Sequence, residues 1–292
     1  MSKFAVKGEL TNLMYLLDEQ EEPVYNKISE SIQSFGVNAI PFLEATRENA
    51  FNSLVQSRIK TLLHKLNFQN LYIELLNWAT LNSNDLLKGY FLISKYVFPD
   101  LNEERVMAQV ELLKREVWLE LKKNMTPFQE AEVLSKVLLE LNKYTLNPIV
   151  ECSADSLCMN ELLDTHTGFP ISLTVLYTGL AQRLGFPIYG ANMPDSMFLA
   201  YVYSGNYRNS DFQNDVLFYI NPLTIGAFFT NLEVREYLTK HYNKDKGEYK
   251  GACKNPKLIL QVAKNMQYAF LNSHNTGKAN ELNVLMKALE VE

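Results

Sequence analysis

The chain has 292 residues, 47% of them hydrophobic and 12% aromatic, which excludes disorder and supplies apolar surface for a sizeable core, in one large domain or two to three small ones. A net charge of −5 and a pI near 5.6 offer no basic face of the kind a phosphate backbone selects, so nucleic acid is not expected as a partner. No apolar run approaches the length of a bilayer span, and Met1 to Leu16 lacks a small-residue cleavage site, so a soluble, cytoplasmic protein with no membrane partner is expected.

In chain order, residues 8–80 read as short paired helices. Leu10, Leu13, Met14, Leu16 and Leu17 form one stripe, Asp18 to Glu22 an acidic turn, and Pro23 opens a second helix that Gly36 ends. A third starts at Ile40-Pro41. Leu54 to Leu66 continues the series, and Leu71 to Trp78 follows after a polar break at Asn67 to Asn70. Such a succession suggests a HEAT-like array over residues 1–83.

Asp85 is placed to cap a helix through Leu86, Leu87, Tyr90 and Phe91, with Phe98-Pro99-Asp100 as its break. Leu101 to Lys123 reads as a long amphipathic helix with Val106, Val110, Leu113, Val117, Trp118 and Leu121 facing inward. Thr126-Pro127 has the form of an N-cap and N1 pair, and Asn142 to Ser156 reads as a loop. Gly168 and Pro170 then mark a helix start, with Ser172 in the first turn. The set Ile171, Leu173, Val175, Leu176, Leu180, Ala181 and Leu184 is dense enough for a helix buried on nearly every side, and Gly185 stops it. Pro187 to Gly190, Phe198 to Tyr203 and Val216 to Ile220 read as strands, with a turn over Asn192 to Ser196 and a hairpin loop over Ser204 to Asp215. A short helix over Leu232 to His241, a charged loop, and two helices, Pro256 to Asn272 and Lys278 to Leu289, close the chain. The fold class is α+β and mostly helical.

The stretch 156–226 also resembles a family. From Asn160 the chain reads N-E-L-L-D-T-H-T-G-F-P-I-S-L-T-V-L-Y-T-G-L-A-Q-R-L-G-F-P-I-Y-G-A-N-M-P, and later F-Y-I-N-P-L-T-I-G. The helix start, the L-G-F-P stop, the N-M-P turn and the I-N-P strand end follow in the order found in the SirB-like branch of the transglutaminase-like superfamily. The resemblance implies a transglutaminase-like (papain-like) core within residues 84–250 and a tetratricopeptide-like helical pair over 251–292. It further implies a Cys at the core-helix start, a His on the next strand and an Asp or Asn on the strand after that. The helix N-terminus and imidazole stabilise a thiolate there, and the third residue fixes the tautomer. Carried over residue by residue, these positions fall on Pro170, Ser196 and Asn221. Proline has no nucleophile, and serine at its ordinary pKa is no base. The implied function is therefore a non-catalytic protein-binding or scaffolding module with a vestigial triad. The alternative is a hydrolase or transferase with a relocated nucleophile.

Residues expected to line the cleft are Gly168, Ser172, Asn192 and Asp195. For Ser172 and His166 the bland reading is a capping hydroxyl and a surface imidazole, which outweighs a Ser–His pair supported only by proximity in sequence. Cys158 is expected to be a buried structural thiol. Glu161 and Asp164 are read as a solvated helix face. The three cysteines, Cys152, Cys158 and Cys253, lack metal spacing, and His64 and His241 have no partner at such spacing, so no metal is expected. No phosphate loop or dinucleotide pattern occurs, so no cofactor is expected either. Tyr201, Tyr203, Tyr207 and Phe198 form either a sheet face or, if exposed, a recognition surface.

Overall fold

A computed structural model describes residues 3–147, 152–191, 198–203, 215–225, 227–242 and 251–290. Its residues fall into two compact units, 1–74 and 75–292. Elements are numbered α1 Lys3–Tyr15, α2 Glu22–Ser34, α3 Ile40–Asn49, α4 Ser53–Leu81, α5 Leu86–Lys95, α6 Glu103–Glu120, α7 Pro127–Lys136, β1 Thr145–Leu146, α8 Met159–Thr165, β2 Thr167–Gly168, α9 Pro170–Arg183, β3 Ile188–Ala191, β4 Leu199–Val202, β5 Val216–Ile220, β6 Phe228–Phe229, α10 Asn231–Tyr242, β7 Ala252–Cys253, α11 Asn255–Asn272 and α12 Thr276–Leu289.

The first unit buries Leu10, Leu17, Ile32, Leu43, Ile59 and Leu62 in one cluster drawn from α1 to α4. Arg58 ties the acidic turn after α1 to α4. Its Nη1 donates to the carbonyls of Leu17 at 2.9 Å and Glu19 at 2.6 Å, and its guanidinium lies 3.7 Å from the Tyr25 ring centre. One expectation fails here. No break occurs at Asn67 to Asn70, and α4 runs unbroken from Ser53 to Leu81. Asparagine has only a weak preference against the helix interior, and buried Leu66, Leu71 and Leu75 on either side override it.

The second unit is built around α9. Every residue from Ile171 to Ala181 is buried, which no amphipathic surface helix shows. Its entry and exit follow local rules. Phe169 is extended with Pro170 at the first helical position, and Gly185, at φ +86°, closes the far end as a Schellman turn. There Phe186 N donates to Ala181 O at 2.9 Å and Gly185 N to Gln182 O at 3.1 Å. Helices α5, α6, α7 and α11 pack on α9, and Gly179 admits the Leu87 side chain where a Cβ would collide with it.

The antiparallel sheet has the order β6-β5-β4-β3-β7, with Ile188 opposite Tyr201 and Leu199 opposite Ile220. Only four residues link α9 to β3. The two pack against each other, and Gln182 Nε2 donates to Ile188 O at 3.0 Å. The last two helices, α11 and α12, form an antiparallel pair within this same unit.

Local differences from the sequence reading have clear causes. The segment after Asn142 is not all loop: Thr145–Leu146 pairs in parallel with Thr167–Gly168, too short a strand to leave a periodic signal. Trp118 points outward at 65% exposure, because it lies one residue, about 100° of helix, past fully buried Val117 and so off the packed face set by Val106, Val110 and Val117. The capping expectations at Asp85 and Thr126 match the structure. Asp85 accepts from Lys88 N at 3.2 Å, and Thr126 forms a capping box with Gln129.

Candidate functional site

The start of α9 is assembled by α8 and the β1–β2 pair. His166 caps α8 in the left-handed conformation at φ 53°, so the chain turns sharply into Thr167–Gly168. Gly168 is buried against α8, and a Cβ there would approach Leu162 Cδ1 to 2.6 Å, so a larger residue would have to push that side chain aside. Pro170 follows at N1 of α9. That position has the right backbone setting for a stabilised anion, with free N–H groups and the positive end of the helix dipole, but its residue has no atom that could attack.

Asn221 sits immediately after β5. Because Leu199 pairs with Ile220, Phe198 and Asn221 come to the same end of the sheet as Ala191, whose N–H donates to Phe198 O at 2.9 Å. The Asn221 Oδ1 accepts from Leu223 N at 3.0 Å, and its backbone N–H donates to Ala227 O at 3.0 Å. This is the side-chain turn geometry asparagine favours, so the amide oxygen is engaged in shaping its own loop. Asn192, Asp195 and Ser196 lie outside the described residues, as does Tyr207.

Ser172 is not a cap. Its side chain is fully buried, and Oγ donates to Leu157 O at 3.3 Å, a carbonyl that also accepts from Tyr90 Oη at 2.9 Å. Tyr90 is itself fully buried, and burial drives its phenol pKa well above the ordinary value. Nor does His166 lie free on the surface. It is half-buried, with Nδ1 2.7 Å from Asn142 O and its ring stacked on Tyr144 at 4.5 Å. A carbonyl can only accept, so Nδ1 carries the proton. The sequence offered no hint of either arrangement, since the partner of each is a main-chain oxygen on another segment.

The thiols are unreactive by environment. Cys158 is fully buried with Sγ donating to Ala154 O at 3.4 Å, and burial pushes its pKa well up. Cys152 and Cys253 are each pushed up to about 11, again mainly by burial. Asp164 is no partner in an acid–base pair. Arg105 Nη2 donates to its Oδ2 at 3.1 Å and Gln109 Nε2 to its Oδ1 at 2.8 Å. These groups stand beside a hollow of about 370 Å³ lined also by Asn160, whose Oδ1 finds no hydrogen-bond partner among the described residues.

On the sheet, Tyr201 is buried and its hydroxyl donates to Glu130 Oε2 at 2.6 Å, while Phe198 packs edge-on against Phe229. Tyr203 is exposed. The described part of this row is thus mainly sheet packing with one exposed tyrosine. Among the described residues, no group of three or more His, Cys, Asp or Glu could hold a metal ion, and no helix is long and apolar enough to cross a membrane.

A buried helix entered through Gly168-Phe169-Pro170 and followed by an antiparallel sheet makes this an α+β core. More particularly, the chain belongs to the transglutaminase-like superfamily, whose family model matches residues 104–267, more than half its length. No curated protein and no solved structure matches the chain.

Proposed function

We propose that this protein is a non-catalytic member of the transglutaminase-like superfamily, of its SirB-like branch, and acts as a protein-binding or scaffolding module. The observation that carries this reading is Pro170. It occupies the first helical position of α9, where the chemistry of the superfamily needs a thiolate. The surroundings agree with it. Ser172 is sealed beneath that turn, the three thiols are held protonated at neutral pH, and the Asn221 amide oxygen serves its own loop. The helices of the first unit, read as HEAT-like, and the α11–α12 pair, read as tetratricopeptide-like, supply contact surfaces of the kind stacked helices present.

The test is covalent labelling of the full chain at neutral pH with a chloroacetamide and a fluorophosphonate probe, mapped by peptide mass spectrometry. Labelling at Ser172, Ser196 or Cys158 is expected to stay at the level of the urea-unfolded control or below. A fast adduct at one of them, abolished by alanine at that same residue and accompanied by amide hydrolysis, overturns the proposal in favour of a relocated nucleophile.

A further inference from the structure

Within the first unit, α1, α3 and the segment leading into α4 enclose an open groove of about 510 Å³. Its floor is apolar, with buried Met14 and the half-buried Phe42 and Val55. Two aromatic residues stand at its walls almost bare to solvent: Tyr15 at 78% exposure and Phe51 at 102%. A single exposed aromatic needs no explanation, but two flanking one concave apolar floor mark a surface shaped for contact.

Among the described residues that line the groove, Asp18 is the one charged side chain, while basic Arg47 stands in the last turn of α3. Asp18 begins the turn that also carries Glu19, Glu21 and Glu22, which Arg58 fixes from beneath through its bonds to Leu17 O and Glu19 O. Helices α1 and α3 both end at the groove, at Tyr15 and Asn49, and so direct their negative dipole ends into it. The opposing positive end of α4 is capped by Asn52, whose Oδ1 accepts from Leu54 N at 2.9 Å. The described residues of this unit contain no strand, so an occupant cannot pair its backbone with a sheet edge. It must satisfy its own amides, as a helix does.

We propose that this groove is the docking site for a basic amphipathic helix of a partner protein, its apolar stripe lying between Tyr15 and Phe51 and a lysine or arginine facing Asp18. The inference rests on the binding-module reading above and names the chemistry of the partner.

Fluorescence anisotropy on the full chain tests it. The probe is a labelled helical peptide with Leu and Phe at i, i+3 and i+7 of one face and lysines flanking that face. The control is the same peptide with glutamate for every lysine. The lysine peptide is expected to bind and the glutamate peptide to bind at least about tenfold more weakly, with the difference shrinking as salt is raised. Phe51→Ser is expected to weaken the lysine peptide by about tenfold or more, and Asp18→Lys to narrow or reverse the preference between the two peptides. Both side chains are exposed, so circular dichroism and melting of the variants should match the parent. Equal affinity for the two peptides, no measurable binding, or binding indifferent to both substitutions overturns the groove assignment. So does a concentration-dependent dimer in sedimentation velocity that Phe51→Ser dissolves, since the occupant would then be a second copy. Each of these leaves the labelling test at α9 untouched, whereas an adduct at α9 would overturn the non-catalytic reading without altering peptide binding.

Discussion

The first turns of α9 and the mouth of the groove between α1 and α3 treat their side chains in opposite ways. At α9 three hydroxyl and thiol groups among the described residues are enclosed and engaged: Ser172 with Leu157 O, Tyr90 with the same carbonyl, Cys158 with Ala154 O. At the groove, Tyr15 and Phe51 are held out into water over an apolar floor. Burial there would stabilise the fold, so their exposure points to a use in association. The difference teaches that the region matching the superfamily and the most open groove lie in different parts of one chain. The start of α9 is closed, and the groove proposed above to take a partner lies outside the matched residues 104–267.

The contrast can be broken or sharpened by experiment. The largest effect is expected in the closed region. Tyr177 is 1% exposed, with its hydroxyl donating to Ala131 O at 2.9 Å, so Tyr177→Ala opens a cavity and removes a buried hydrogen bond together. A loss of about 3–5 kcal/mol is expected in urea unfolding, the range of large aromatic truncations in packed cores. A loss below about 1 kcal/mol would show that α9 is less tightly enclosed than described here.

A smaller effect concerns pH. Burial raises the Cys253 thiol to about 11 in the folded chain, above the roughly 8.5 of an unfolded cysteine. The folded state then holds its proton while the unfolded state loses it. Stability from this group is intact below about pH 8.5 and falls as pH rises toward 11, by roughly 2–3 kcal/mol over the full span. Unfolding free energies measured at pH 8, 9 and 10 should decline less in Cys253→Ala than in the parent. Equal slopes would remove Cys253 as a contributor.

The smallest effect is expected at the open region. Phe51→Ser should change unfolding free energy by no more than about 0.5 kcal/mol, because the ring has no burial to lose. A cost above about 1.5 kcal/mol in the same urea titration would mean that Phe51 packs in solution, and the comparison would collapse.

Much of this was legible from local pattern. Gly185 as the stop of α9, Asp85 and Thr126 as caps, Pro170 at a helix start and the dense apolar run after it are all short-range rules, satisfied within one turn of chain. The strands at 188–191, 199–202 and 216–220 were marked by their β-branched and aromatic residues. Elsewhere the same rules fell short. Asn67 to Asn70 resembles a break, yet buried leucines on both sides carry α4 straight through. Trp118 resembles a core residue, yet it sits beside buried Val117 on the outward side of α6. The motif singled out Pro170, at the first position of α9, and Asn221, just after β5, whereas the enclosure of Ser172 and the anchoring of His166 gave no sequence signal.

The sequence by itself determined most of the helices, the three longer strands, the family and the absence of a nucleophile at position 170, because capping, periodicity and motif spacing are properties of adjacent residues. Tertiary structure alone decided which groups are sealed and which are left in water. Ser172 loses its reach because Leu157 O arrives from fifteen residues away, and Phe51 stays bare because α1 and α3 close beneath it rather than over it. Burial depends on which distant segments meet. That is set by the packing of whole helices, and no window along the chain contains it.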